Sequence, residues 1–263
     1  ADIIVTTVRV GFERGRVFDE RVALKLGVLG QDTTCAGGFS MAMRSIPVLL
    51  DVAARAEVLA PHAWTFNFTN PAGLVAQAMH QAGYRRVVGI CDSANTAQQE
   101  VARTLQLDVD RVKTEVFGLN HLSWTRRALV DGRDRLAELF ADDGFINDTH
   151  LRFFGAPVVR RYGMFLNEYL FYYYFRDVAL ERIQTEELTR GEEVEQLNHA
   201  LFARLQGLPP EQALEVYDQY NQRRSASYMA YAEADESLRE QRSHPTAETV
   251  PPHQAQQQVG GYG

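Results

Sequence analysis

Ala63-Trp64-Thr65-Phe66-Asn67-Phe68-Thr69-Asn70-Pro71-Ala72-Gly73 decides the fold. Ala63 to Phe68 reads as a short strand, and Thr69-Asn70-Pro71-Ala72-Gly73 turns the chain into a helix with proline near its start. A second unit of the same kind follows. Arg86-Val87-Val88-Gly89-Ile90 is a strand-like run, Cys91-Asp92-Ser93 is its turn, and a helix is predicted from about Ser93 to Leu105. Thr114 to Leu119 is read as the next strand. Upstream, Ala1 to Val10 opens directly as a β-branched run of the type that fills a buried parallel strand. A polar segment from Phe12 to Arg21 and a Gly- and Thr-rich loop, Gly30 to Gly38, separate it from Phe39–Ala60. That stretch repeats apolar residues at helical spacing, and Pro47 inside it implies a kink or two shorter helices. Strands alternating with helices predict an α/β protein built on a doubly wound parallel sheet.

The composition changes after about Asn120. Residues 123–130 predict another strand, and the remainder reads as helices with polar connections. The aromatic block Tyr169 to Phe175 is too dense for an exposed face and is expected in a core or an interface. Glu192 to Leu205 has helical spacing and stops at Gly207-Leu208-Pro209-Pro210. Glu240 to Gly260 is Pro-, Gln- and His-containing and weakly periodic, and is expected to be a poorly ordered loop.

With 263 residues the chain can bury a core as one large domain or two modest ones. Its formal charge of −7 argues against nucleic acid as a partner. No stretch approaches the roughly 20 apolar residues of a membrane span, and no basic region followed by an apolar core marks a secretory signal. Two cysteines, Cys35 and Cys91, make no disulfide framework, and reduced thiols in a cytoplasmic protein are the simpler expectation. The chain opens directly on a strand and closes on Gly260-Gly261-Tyr262-Gly263, so it is expected to be cut at both ends. The Gly-x-Gly-x-x-Gly fingerprint is absent.

Cys91 and His121 each close a strand-like run. Strand ends tend to point into the crevice where open α/β sheets place ligands. A thiol and an imidazole there are a candidate pair of ligands for a divalent transition ion, because soft sulfur and borderline nitrogen both suit one. The alternative for Cys91 is a small buried hydrophobe, and for His121 a satisfied structural histidine.

Four segments in order resemble glycoside hydrolase family 4, the NAD- and metal-dependent glycosidases. They are Val8-Arg9-Val10-Gly11 with Arg16 and Asp19-Glu20-Arg21; Gly30-Gln31-Asp32-Thr33-Thr34 with Gly37-Gly38-Phe39; Asn67 to Gly73; and Cys91-Asp92 with Gly118-Leu119-Asn120-His121-Leu122. Arg223-Arg224-Ser225-Ala226-Ser227-Tyr228 is similar to the family's Arg-Gly-Gly-Ala-x-Tyr motif, with Arg224 and Ser225 in place of its glycines. Gly89-Ile90-Cys91-Asp92 resembles the 6-phospho-β-glucosidase branch, although Asp92 also occurs in the α-glucoside branch.

The resemblance implies the C-terminal part of a Rossmann NAD-binding domain over residues 1–120. It implies a partial α+β, lactate-dehydrogenase-like substrate and metal domain over 121–263. It also implies a chemistry that departs from the two-carboxylate glycosidases. NAD⁺ takes a hydride from C3 of the sugar, the ketone acidifies the C2 hydrogen, a base removes that proton, and the glycosidic oxygen leaves by elimination. Water then adds back and C3 is reduced. A divalent metal, usually Mn²⁺, polarises the C2 and C3 oxygens as a Lewis acid.

On that pattern Cys91 and His121 are the metal ligands, Tyr228 the base, and Asp92 the acid for the leaving oxygen. Arg9 and Asn70 contact substrate, and Asn67 and Gln31 contact NAD. Asn70 alternatively only caps its helix, and Arg9 alternatively pairs with Asp19 or Glu20. The implied substrate is a phosphorylated disaccharide or glucoside, and a homo-oligomer is expected, with the aromatic block as a candidate interface. Two rivals stand beside this reading: a lactate/malate-type dehydrogenase, and an inactive homologue. Without a phosphate-cradling loop, weak NAD binding by this chain is expected.

Overall fold

The computed structural model describes residues 1–233, which form two compact units divided between Leu180 and Glu181. The expected loop at 240–260 lies outside the described residues.

The first unit opens with the strands β1 (Ile3–Thr6), β2 (Trp64–Asn67) and β3 (Val87–Gly89), a parallel sheet in the order β1-β2-β3. Ile3 faces Trp64 and Thr65 faces Val87 in its two registers. Helices α1 (Phe12–Lys25), α2 (Cys35–Leu59) and α3 (Ala72–Gln81) supply the connections, as parallel neighbours require. Leu49 and Ala53 of α2, Val75 and Met79 of α3, and Val87 of β3 close a core between sheet and helices.

The polar stretch after Gly11 folds as α1, with Arg16, Asp19 and Glu20 buried and ion-paired. Two local readings need correction. Only Ile3–Thr6 of the β-branched run is strand, and Ile3 and Val5 are exposed, so this strand is not buried on both faces. Helix α2 runs unbroken through Pro47. The ring removes one backbone donor, while burial of Met41, Ala42, Ser45 and Leu49 on both sides of Pro47 holds the helix together.

The fourth strand departs from the parallel series. After α4 (Thr96–Thr104), β4 (Val112–Leu119) pairs antiparallel with β5 (Leu122–Val130), which pairs with β6 (Arg133–Asp134) and with β7 (Phe165–Leu166). Leu119 faces Leu122, so Asn120-His121 is a two-residue hairpin loop. A strand followed at once by a hairpin cannot cross over into the parallel sheet. The second hairpin turns at Asp131-Gly132 with positive φ at both residues, the backbone favoured by Asp-Gly. Short helices α5 (Leu136–Ala141), α6 (Asp143–Asp148), α7 (Ala156–Tyr162) and α8 (Phe171–Tyr174) follow. Leu170, Phe171 and Tyr172 of the aromatic block are buried, whereas Tyr173 and Tyr174 are exposed.

α9 (Arg176–Thr185) leads into the second unit, whose main elements are α10 (Arg190–Leu205) and α11 (Pro210–Ala226). A capping box starts α10: Thr189 Oγ1 accepts from the Glu192 N–H, and Glu192 accepts from the Thr189 N–H. The two helices share a core of Leu201, Val216 and Tyr220.

Candidate metal and substrate site

Cys91 follows β3 in extended conformation and caps a single 3₁₀ turn, Asp92–Asn95. His121 occupies the second position of the β4–β5 loop with φ +62°, a left-handed backbone that the tight turn imposes. Gly118 makes that turn possible: its φ is +111°, and a Cβ there would lie 2.3 Å from the Leu122 carbonyl oxygen. The hairpin thereby delivers an imidazole to the end of a strand in a different sheet. Cys91 Sγ and His121 Nε2 lie 3.3 Å apart.

The surroundings fix both groups. The His121 ring is buried and stacks on Tyr169 with centroids 3.9 Å apart and planes within 7°. Ser93 Oγ lies 3.4 Å from Cys91 Sγ, and Asp92 Oδ1 lies 3.7 Å from it. Burial pushes the Cys91 thiol up, only partly opposed by hydrogen bonds from Ser93. Burial also lowers the His121 pKa, against the charges of Asp32 and Asp92. A neutral imidazole with a free lone pair is the form that ligates metal.

The donor set fits a divalent ion. Bonds of about 2.1 Å to nitrogen and about 2.3 Å to sulfur hold two donors of one ion roughly 3.3–3.6 Å apart. Among the described residues no group of three or more His, Cys, Asp or Glu side chains could hold a metal ion. An ion held by Cys91 and His121 alone would keep positions open, unlike a closed structural four-coordinate site. A cavity of about 390 Å³ opens beside Cys91, between the start of α3 (Ala72, Gly73), the end of β3 (Gly89, Ile90) and the hairpin (Gly118, Asn120).

A charge network lies close by. Asp32 pairs with Arg9 at 3.0 Å and with Arg16 at 3.6 Å, and Arg16 Nε donates to Glu20 at 2.7 Å. Burial would raise the Asp32 carboxyl, but Arg16 and Arg9 outweigh it and hold the group below its usual range. Arg9 therefore pairs with Asp32 and with neither Asp19 nor Glu20; Asp19 is taken by Arg44. Behind the site, buried Glu168 is pushed up to about 7 by desolvation, and its Oε2 has no hydrogen-bond partner among the described residues. Its charge registers on Cys91, and His150 beside it pairs with Glu100 at 2.7 Å.

The structure brings together Cys91, His121 and Asp92, the last exposed beside the thiol. Asn70 precedes Pro71 across a cis peptide bond at the start of α3, and no side-chain cap from the Pro71 N-cap position closes that helix. Asn67 is fully buried, accepting from Thr6 Oγ1 and the Thr69 N–H and donating to the Thr69 carbonyl. Gln31 is buried in its loop, where the absence of a Cβ on Gly37 lets the backbone pass. Tyr228 belongs to the second unit, in the turn after α11. Sequence reasoning missed Asp32, Ser93, Glu168 and Tyr169 as parts of the site. Asp32 lies within the Gly30–Thr34 motif, but nothing in a linear chain signals Tyr169 stacking on a residue 48 positions earlier.

Known proteins resemble this chain. The model of the family described as family 4 glycosyl hydrolase matches residues 1–107, and that of its C-terminal domain matches residues 116–247. The 6-phospho-beta-glucosidase of Escherichia coli (strain K12) is 34% identical over 200 residues, 73% of this chain and 44% of that protein. The 6-phospho-alpha-glucosidase 1 of Lacticaseibacillus paracasei is 35% identical over 125 residues, 47% of this chain and 28% of that protein. The solved 6-phospho-beta glucosidase of Thermotoga maritima, with manganese, NAD⁺ and glucose-6-phosphate, superposes with a TM-score of 0.72. It is 26% identical, covering 85% of this chain and 55% of that one. The chain thus spans about half the length of such relatives. With matches to both of its domains, this chain belongs to glycosyl hydrolase family 4.

Proposed function

We propose that the chain carries the metal and substrate part of an NAD-dependent 6-phosphoglucosidase. The observation that carries this reading is the 3.3 Å approach of Cys91 Sγ to His121 Nε2 beside a cavity, in a chain matched by both family models. Cys91 and His121 would hold the ion, with Tyr169 fixing the imidazole plane. When bound, NAD⁺ would supply the hydride acceptor for the sugar's C3, and a divalent metal, Mn²⁺ by analogy with relatives, would supply Lewis-acid polarisation of the C2 and C3 oxygens. Tyr228 takes the C2 proton and exposed Asp92 protonates the departing oxygen. Arg9 and Asn70 contact the phosphorylated sugar, and Asn67 and Gln31 lie on the NAD side.

The substrate is a phosphorylated disaccharide or other 6-phosphoglucoside. Relatives named for both anomers match this chain, so the anomer is left to experiment. A lactate/malate-type dehydrogenase is not favoured, because both family matches are to the glycosidase and hydride transfer to a hydroxy acid needs no thiol–imidazole pair. A reducing, cytoplasmic setting suits two free cysteines. Among the described residues no helix is long and apolar enough to cross a membrane. A homo-oligomer is proposed, with exposed Tyr173 and Tyr174 of the aromatic block at its interface.

The test is an assay with NAD⁺, Mn²⁺ and reductant on chromogenic 6-phospho-α- and β-glucosides. Turnover of one anomer is expected, lost on chelation and reduced more than about 100-fold in Cys91→Ser. Turnover without NAD⁺ refutes the mechanism, and activity on neither substrate favours the inactive homologue.

A further inference from the structure

The last turn of any helix leaves carbonyls without intrahelical partners. α11 ends at Ala226, and Tyr228 lies two residues beyond, its N–H donating to the Ser225 carbonyl at 3.2 Å. The clamp on this turn comes from another element. Arg190, the first residue of α10, donates from Nη1 to Ser227 Oγ and from Nη2 to the Arg224 carbonyl, both at 2.7 Å. Nη1 also donates to Glu193 Oε2 at 2.7 Å, so the next turn of its own helix aims the fork. The side chain is only 13% exposed. Ser227 passes the restraint on by donating to the Arg223 carbonyl at 3.2 Å.

Both ends of this bridge are held. The capping box fixes the first turn of α10, and the shared core of Leu201, Val216 and Tyr220 fixes α11 against it. The residues gripped by the guanidinium, Arg224 and Ser227, lie within the Arg223–Tyr228 motif itself, and Ser227 adjoins the phenol-bearing residue. This motif has Arg224 and Ser225 where its family pattern has glycines. A planar fork with two diverging donors makes this bridge; an ammonium, a point charge on a flexible stem, does not.

We infer that Arg190 is the positioning residue for Tyr228, holding the backbone turn that carries its phenol. The inference rests on the reading of Tyr228 as the base. It acts through Tyr228 and touches no substrate, so its signature is a loss of proton transfer with substrate binding preserved.

The test compares the parent chain with Arg190→Lys, Arg190→Ala and Tyr228→Phe. Exchange of the C2 hydrogen of a 6-phosphoglucoside for deuterium in D₂O, with NAD⁺ and Mn²⁺, is followed by NMR, and backbone amide exchange by mass spectrometry. Arg190→Lys is expected to slow C2 exchange about 100-fold with KM unchanged, the cost of misplacing a catalytic group by about 1 Å. Faster amide exchange should be confined to residues 224–228, and added guanidinium should partly restore C2 exchange in Arg190→Ala. C2 exchange at the parent rate in Arg190→Lys overturns the inference. So does lost amide protection with C2 exchange intact, which makes Arg190 a structural clamp alone. C2 exchange surviving in Tyr228→Phe overturns the base assignment and this inference with it. A parent chain without exchange overturns the proposed function first.

Discussion

Asp32 shows how a single residue couples the site to the fold. Its carboxylate is shared by Arg9 and Arg16, with 11% of its side chain exposed, and its charge acts on His121. Breaking a buried pair leaves an uncompensated cation, a cost of several kcal/mol. Arg16 keeps Glu20, which limits the damage. Asp32→Asn is therefore expected to destabilise the chain by about 3 kcal/mol in urea unfolding. A loss below about 1 kcal/mol would place the pair on the solvated surface. Arg9 illustrates what linear reading cannot settle. Its charge was legible, but four carboxylates, Glu13, Asp19, Glu20 and Asp32, follow it within 23 residues. Only the packing of α1 against the Gly30–Gly38 loop selects among them.

At the scale of elements, the β4–β5 hairpin is the device that makes the site. Its strands were partly legible, since Thr114–Leu119 and 123–130 were both read as strands. Their antiparallel pairing was not, because an alternating pattern of strands and helices gives no direction for the last strand. Gly118 carries the geometry. Gly118→Ala must relieve a 2.3 Å approach to the Leu122 carbonyl at a φ of +111°. A loss of about 3 kcal/mol or more is expected in thermal unfolding, with weaker Mn²⁺ binding measured by titration. Gly132→Ala, at φ +80° with nothing within 4 Å, should cost only about 1 kcal/mol and leave Mn²⁺ binding intact. Equal effects of the two substitutions would show that the loop does not place His121.

Across the molecule, the buried groups behind the site set the pH response of stability. Glu168 titrates near 7 in the folded chain and near 4.5 when unfolded. A raised folded value means the folded state binds the proton more tightly, so this contribution is full below about 4.5 and is lost as pH rises through about 7. His150 is also raised, through Glu100 against the opposing effect of burial, and changes stability in the same direction. Between pH 5 and 8 the melting temperature is expected to fall. Glu168→Gln should flatten that slope, removing a term of about 3 kcal/mol. An unchanged slope in Glu168→Gln would show that Glu168 does not carry the pH dependence.

By itself the sequence determined the α/β class, the strand–helix alternation through β3, α10 and its stop, and the identity of Cys91 and His121 as a candidate pair. These follow from periodicity, turn residues and side-chain chemistry, all of which act over a few residues. Tertiary structure alone decided that β4 leaves the parallel sheet, that Asn120-His121 forms a hairpin tip, and that Arg9 belongs to Asp32. It also decided that Tyr169 stacks on His121 and that Glu168 is buried behind the site with its carboxyl pushed up to about 7. Each of these depends on which distant segments share a low-dielectric interior, where an unpaired charge or an unplaced ring is costly. That choice is made by the fold as a whole and leaves no local mark on the chain.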